Sequence, residues 1–326
     1  STLLYFLVYF LGGYLLYASL FAAVGSAVEN ETDTQQFSLP LTIPIIFAIY
    51  ACYVPIWGWW YAFVKQKVGR SVFKMPFVGL GNFKTLLGTP LLRKQTWMSI
   101  LNTFEFQGIN FALSFLPMLL AIFLSEVKSK RFQKVVQTAV TLPYFVSWVI
   151  VYSLVLALLS NSGVINVWLQ RMGMQPINLL YTDKHVMLNM NILAYWKSIG
   201  WNSIVYFAAI AGLDQQMYEA AVVDGATRMQ KIWYITIPNV LPTFVVLFIM
   251  AIGHFLGTGV DLFLLFSNGF NLTHIQTLDL YVYNLGIGSG KISLAVCVGI
   301  ATTFVGLALF ATANWLSKKI RGTSVF

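Results

Sequence analysis

Trp196, Lys197 and Trp201 bring two indoles and an ammonium close together inside an otherwise apolar stretch. A lysine in a segment suited to hydrocarbon needs a partner or a water-filled cavity, so Lys197 marks a candidate functional site. Two further groups resemble it. Tyr144 and Trp148 stand at i and i+4, a spacing that predicts one shared helix face. His254 and Thr258 have the same spacing, with Phe255 beside them. Aromatic faces next to hydrogen-bonding groups suit non-covalent recognition of a ligand in a cavity. Bond-making chemistry is not indicated, because no acid, base and nucleophile converge, and no P-loop or HExxH motif occurs. The three histidines are not spaced as a metal site, so neither a catalytic nor a metal-binding residue is expected. Cys52 and Cys297 both fall in apolar runs, where thiols act as small hydrophobes, and no disulfide framework is indicated.

The elements that must position these residues are set by composition. With 58% hydrophobic and only 10% charged residues in 326, and a mean hydropathy of +0.74, the chain reads as an all-α, multi-pass membrane protein. Its net charge of +9 would suggest nucleic acid for a soluble protein. Beside membrane spans the same lysines and arginines read as flanking charges near anionic headgroups, and no nucleic-acid partner is expected.

Seven apolar runs are long enough to span. They cover about 2–28, 39–63, 103–124, 135–159, 190–213, 240–257 and 292–316. The first lacks a basic n-region and an A-x-A site, so a removable signal peptide is not expected. Residues 1–36, the first run with its acidic ENETDTQQ stretch, form an added span and linker ahead of a main domain over 37–326. A basic segment separates the second and third runs, with Lys65, Lys67, Arg70, Lys74, Lys84, Arg93 and Lys94.

Between the fifth and sixth runs lies EAAVVDGATRMQKIWYITIP, Glu219 to Pro238, carrying Glu219, Asp224, Arg228 and Lys231. Each such charge costs about 2.5–3.5 kcal/mol at the bilayer centre, so this insert must lie outside the hydrocarbon. Glu219-Ala220-Ala221, then Gly225, then Ile235-Thr236-Ile237-Pro238 resemble the EAA loop of membrane subunits of ATP-binding-cassette importers. The resemblance extends through Tyr53 to Gly58, Phe77 to Phe83, Asn102-Thr103, Leu142 to Trp148, and Trp196 with Gly200-Trp201. These are similar to the LplB-like branch of sugar-importer permeases, alginate-importer permeases among them, from about residue 40 to the end.

That resemblance implies a type I importer transmembrane domain with about 6–7 membrane helices, in the bacterial cytoplasmic (inner) membrane. Its EAA loop would lie at 214–238 on the cytoplasmic side. It implies a heterodimer with a homologous second permease, two ATPase subunits below and an extracytoplasmic substrate-binding protein above. No cofactor is expected on this chain, since ATP and magnesium belong to the ATPases. Glu219 would make a charge-assisted contact with the ATPase. Ala220, Ala221, Ile235 and Pro238 complete the motif, Gly225 would permit close backbone packing, and Asp224 and Arg228 would add flanking polar contacts. In maltose-type relatives the sugar is held by the spans corresponding to those of Tyr144, Trp148, Trp196, Lys197, Trp201, His254, Phe255 and Thr258. Lys197 and the basic segment together suggest an acidic, uronate-type oligosaccharide as cargo.

A cytoplasmic EAA loop places the 126–134 loop and the C-terminal tail on the same side, both rich in Lys and Arg as the positive-inside rule asks. Alternation then puts the basic 64–100 segment outside, against that rule. The competing reading is a secondary transporter or channel without an ATPase. It would show internal repeats and ion-coordinating groups near the midplane. No repeat is evident, and Glu105 is nearly alone among acids in the spans.

Overall fold

The computed structural model describes residues 50–51, 54–67, 69–177 and 184–321. The first predicted span, the ENETDTQQ linker and most of the second span lie outside these residues. Two compact units divide at Phe77/Val78.

In the first unit, Val54–Phe63 forms a 3-10 segment. It is followed by an antiparallel pairing of Val64 with Phe77, closed by a 2.9 Å bond from the Lys65 N–H to the Pro76 carbonyl. Trp57 meets Phe73 edge-on and Trp60 packs against Phe77, each with ring centroids 5.8 Å apart. Lys65, Lys67, Arg70 and Lys74 are exposed on this loop.

The second unit is helical throughout its regular structure. Its helices are α1 (Gly81–Gly88), α2 (Pro90–Ala112), α3 (Leu116–Ser125), α4 (Lys130–Thr141), α5 (Trp148–Leu159), α6 (Val164–Arg171) and α7 (Val186–Ala211). The second half adds α8 (Gln215–Val223), α9 (Arg228–Lys231), α10 (Ile237–Gly253), α11 (Asp261–Phe266), α12 (Leu272–Ile275), α13 (Leu278–Tyr283) and α14 (Ile292–Arg321). Among the described residues, four stretches are long and apolar enough to cross a bilayer: Pro90–Ser125, Trp148–Arg171, Arg228–Gly253 and Ile292–Lys319.

Two boundaries differ from the sequence reading. The helix that carries the third span starts well before Thr103. Helix α2 begins at Pro90, a residue pre-set for a first helical turn, so Arg93 and Lys94 stand in its opening turns rather than in a loop. At 1.5 Å per residue the 23 residues of α2 alone reach about 34 Å, and α3 extends the stretch to Ser125, so together they exceed a 30 Å hydrocarbon core and leave room for that charged end outside. The fourth span is not one helix. Pro143 cannot continue α4, and Leu142–Phe145 tightens into a 3-10 turn before Val146 and Ser147 run extended. The Ser147 hydroxyl then accepts the Ile150 N–H as the cap of α5.

Packing concentrates at the two ends of α7. At its start, Val186, Met187 and Met190 join Phe106, Val151, Val155, Leu262, Phe263, Phe266, Ile275 and Leu280 in one buried cluster. At its finish, Tyr206 joins Met118, Ala121, Ile122, Ile232 and Val240 in another. Buried polar groups tie the first cluster together. Asn102 Nδ2 donates to the Thr273 and Gln276 carbonyls, and Thr103 Oγ1 accepts the Leu278 N–H. Such groups must be paired when removed from water.

Helix α7 lies close against α4. A Cβ at Gly200 would stand 2.1 Å from the Val140 carbonyl oxygen, so only glycine admits this approach.

Candidate functional site

Between its two packed ends α7 lines a cavity of about 420 Å³. Tyr195, Ser198, Trp201, Asn202, Val205 and Tyr206 face it from α7, Gln107, Asn110 and Phe111 from α2, and Phe244, Leu247, Phe248 and Ala251 from α10. His254 and Gly257 close one end. The Tyr195 hydroxyl donates to the Asn110 carbonyl at 2.7 Å, and Gln107 Nε2 donates to the Gly257 carbonyl at 3.1 Å. The wall is thus a mixture of rings and neutral hydrogen-bonding groups, with His254 its only titratable side chain besides the two tyrosines. It can hold a polyhydroxylated ring by stacking and hydrogen bonds, and it contains no nucleophile-base pair.

The predicted site residues divide around this cavity. Trp201 and His254 line it directly. Tyr144 lies behind Trp201, their rings stacked at 4.5 Å and 3°, while Phe145 meets the same indole edge-on at 5.6 Å. Tyr144 and Trp148 do not share a helix face, because Tyr144 lies in the 3-10 turn and the extended Val146 and Ser147 separate it from α5. Their rings nevertheless converge on Lys197, whose Nζ lies 5.2 Å from one centroid and 5.4 Å from the other. Trp196 sits on α7 but is exposed and away from the cavity wall.

His254 and Thr258 also fail to share a face, since α10 ends at Gly253. His254 Nδ1 lies 3.2 Å from the Met250 carbonyl. Phe255 packs edge-on against Phe104 at 4.9 Å and Phe111 at 5.2 Å. Thr258 is engaged with Asp279, whose Oδ2 accepts the Thr258 and Gly259 N–H groups at 2.7 and 2.8 Å.

Sequence reasoning missed Gln107, Asn110, Tyr195, Ser198 and Asn202. The signal existed: Tyr195, Ser198 and Asn202 are spaced i, i+3, i+7 on α7, and Gln107 and Asn110 are spaced i, i+3 on α2, a polar stripe on each of two apolar helices.

The charged insert folds as a helical hairpin. Asp214 caps α8 by accepting the Gln216 N–H at 2.9 Å. At its far end the Gly225 N–H bonds the Val222 carbonyl and the Ala226 N–H bonds the Ala221 carbonyl. That is a Schellman closure with Gly225 at φ +76°. Thr227 and Gln230 form a capping box that starts α9. A π-turn over Ile232–Thr236 leads into α10, and Tyr218 shares a 2.9 Å hydrogen bond with Thr236 across the hairpin. Glu219, Ala220, Asp224, Arg228 and Pro238 are exposed, and Ala221 and Ile235 are half-buried. Val223, Met229, Trp233 and Tyr234 are exposed beside them, an apolar set unusual for a surface that meets water alone.

A family model described as binding-protein-dependent transport system inner membrane component matches residues 114–322, which contain the whole hairpin. The chain belongs to that family. The permease is 36% identical to the polygalacturonan/rhamnogalacturonan transport system permease protein YteP of Bacillus subtilis, over 84% of this chain and 85% of that one. It is 32% identical to protein LplB of the same organism, over 88% and 90%. Its fold matches a crystal structure of a bacterial ABC transporter involved in the import of the acidic polysaccharide alginate. There the TM-score is 0.77 and the identity 33%, over 89% of the permease and 97% of that chain. The all-α membrane fold read from the sequence is therefore that of an ABC importer permease.

Within the permease, Gly225 is required by its own backbone conformation. A Cβ there would meet nothing within 4 Å, and its φ of +76° is what excludes other residues. Gly225→Ala is expected to cost about 1–2 kcal/mol. A difference of less than 0.5 kcal/mol in denaturation of the solubilised protein would contradict this.

Proposed function

We propose that this permease forms half of the membrane core of an ATP-driven importer of oligosaccharides, and that its cargo is acidic, of uronate type such as alginate. One observation carries the reading: the cavity on α2, α7 and α10 presents an indole backed by a stacked tyrosine among neutral donors and acceptors. A pyranose ring offers an apolar face and a rim of hydroxyls, which such a wall matches. Trp201 and His254 would touch the sugar, with Tyr144 behind the indole. Trp148, Lys197, Phe255 and Thr258 would support that wall from behind, and Trp196 stands outside it. The acidic cargo is supported by the 33% identity to the alginate importer's permease and by the exposed bases Lys65, Lys67, Arg70 and Lys74.

The partners follow from the hairpin. Its exposed apolar and charged residues, Glu219 to Pro238, would seat in a cleft of one ATPase subunit. A homologous permease would bind the second ATPase, and a binding protein would deliver the sugar from outside. ATP and magnesium would be held by the ATPases, with this chain supplying the rigid joint. The Tyr218–Thr236 bond and the Schellman closure stiffen that joint. Closing of the ATPases would carry α8 and α9 with them and rock α10 and α7 around the cavity.

The test is ATP hydrolysis by the complete complex in lipid vesicles, with binding protein loaded with alginate pentasaccharide. Stimulation several-fold over the unloaded binding protein is expected, falling back to the unstimulated rate in Trp201→Ala, since loss of a sugar-stacking ring removes a contact that the loaded cavity depends on. Uptake of the sugar by the permease without any ATPase would overturn the reading.

A further inference from the structure

An ammonium inside the membrane is the natural partner of a uronate carboxylate, and half-buried Lys197 is such a group. Its surroundings direct it elsewhere. Nζ donates to the Tyr144 main-chain carbonyl at 2.5 Å and lies over the Tyr144 and Trp148 rings. It is not part of the cavity wall, whereas Trp201, one helical turn further on, is.

The need for such a contact comes from the chain break. Pro143 ends α4, the Leu142–Phe145 turn is 3-10, and Val146 and Ser147 are extended. Carbonyls at a broken helix lose their i+4 donors and must be satisfied otherwise in a membrane. Lys197 supplies a charged donor to one of them and two cation–π contacts to the residues flanking the break. The Tyr144 ring it fixes is the one stacked flat on Trp201, and Phe145 stands perpendicular to the same indole.

We propose that Lys197 is a positioning residue: it pins the broken segment at Tyr144 against α7, and so sets the Tyr144–Trp201 stack that forms the aromatic shelf of the cavity. It does not read the cargo's charge. This rests on the oligosaccharide reading above, and it assigns recognition of sugar carboxylates to groups other than Lys197.

Two cargoes separate the roles: alginate pentasaccharide and the same molecule with every carboxyl reduced to an alcohol. Lys197→Met is expected to slow import of both by the same factor, roughly ten-fold, the worth of a charge-assisted hydrogen bond. Lys197→Arg keeps a donor and a cation, and is expected to retain most of the rate with both. Adding Lys197→Met to Tyr144→Ala should change little, since the two act as one unit. Selective loss of the acidic cargo in either lysine variant, or additive losses in the double variant, would overturn the proposal. A readout without cargo is the fluorine spectrum of the complex labelled with 5-fluorotryptophan, with the Trp201 line identified by its loss in Trp201→Phe. That line should shift in Lys197→Met and return in Lys197→Arg, and an unmoved line would refute the pinning role. A wild-type complex that imports neither cargo would count against the oligosaccharide reading alone, because the fluorine line decides the role of Lys197 independently.

Discussion

Gly200→Ala is expected to prevent assembly of the permease. In a helix interior alanine is normally the better residue, by about 1 kcal/mol. Here the added methyl would stand 2.1 Å from the Val140 carbonyl oxygen, 2.3 Å from its carbon and 2.7 Å from the Thr141 nitrogen. These are backbone atoms of α4, so no rotamer change can relieve the clash. Helix α7 would have to move away from α4 by an ångström or more, disturbing the Lys197 contact to Tyr144 and the Trp201 stack next to it. A cost of about 3 kcal/mol or more is expected, at the upper end for overpacking. Gly108→Ala is the control. It lies within α2 with open space around its Cβ position and should be neutral or slightly stabilising. Thermal unfolding and yield of the solubilised complex would decide. Equal behaviour of the two variants would show that the α4–α7 contact is looser than described.

Glu219→Arg has the second largest expected effect. Glu219 is exposed on α8, so the change leaves the hairpin's own bonds intact. If the carboxylate meets a basic group on the ATPase, reversing its sign sets two cations against each other. Losing a buried charge contact of this kind costs about 2–5 kcal/mol. That corresponds to at least a thirty-fold weaker association, and co-purification of the ATPase should disappear. Glu219→Gln should fall between. Undiminished co-purification with Glu219→Arg would remove the hairpin from the coupling path.

Features carried by local chemistry were legible in the sequence. The Glu219–Pro238 insert could not cross a membrane because of its charges. Its hairpin follows from Asp214, Thr227 and Gly225, each a residue whose capping or turn role is local. What was not legible depends on how long the chain holds one periodicity. The i, i+4 arguments for Tyr144 with Trp148 and His254 with Thr258 both assumed unbroken helix. Extended Val146 and Ser147 break the first, and α10 ends at Gly253 before the second. Trp148 still reaches the site, since a tertiary contact to Lys197 replaces the lost helical neighbour. The start of α2 was placed late because Arg93 and Lys94 suggested a loop, although a helix longer than the bilayer can carry charges at its end.

Helix α7 is 26 residues long, yet it is not among the stretches apolar enough to cross a bilayer by composition. Asn191, Lys197, Ser198, Asn202 and Ser203 account for that, and Lys197 alone costs about 2.5–3.5 kcal/mol on the insertion scale. Two of its polar side chains find acceptors on a helix made earlier in synthesis: Asn191 donates to the Phe106 carbonyl and Tyr195 to that of Asn110. A third, Lys197, finds Tyr144, also upstream. All three acceptors thus precede α7 along the chain, so the groups that satisfy its polar side chains are synthesised before it.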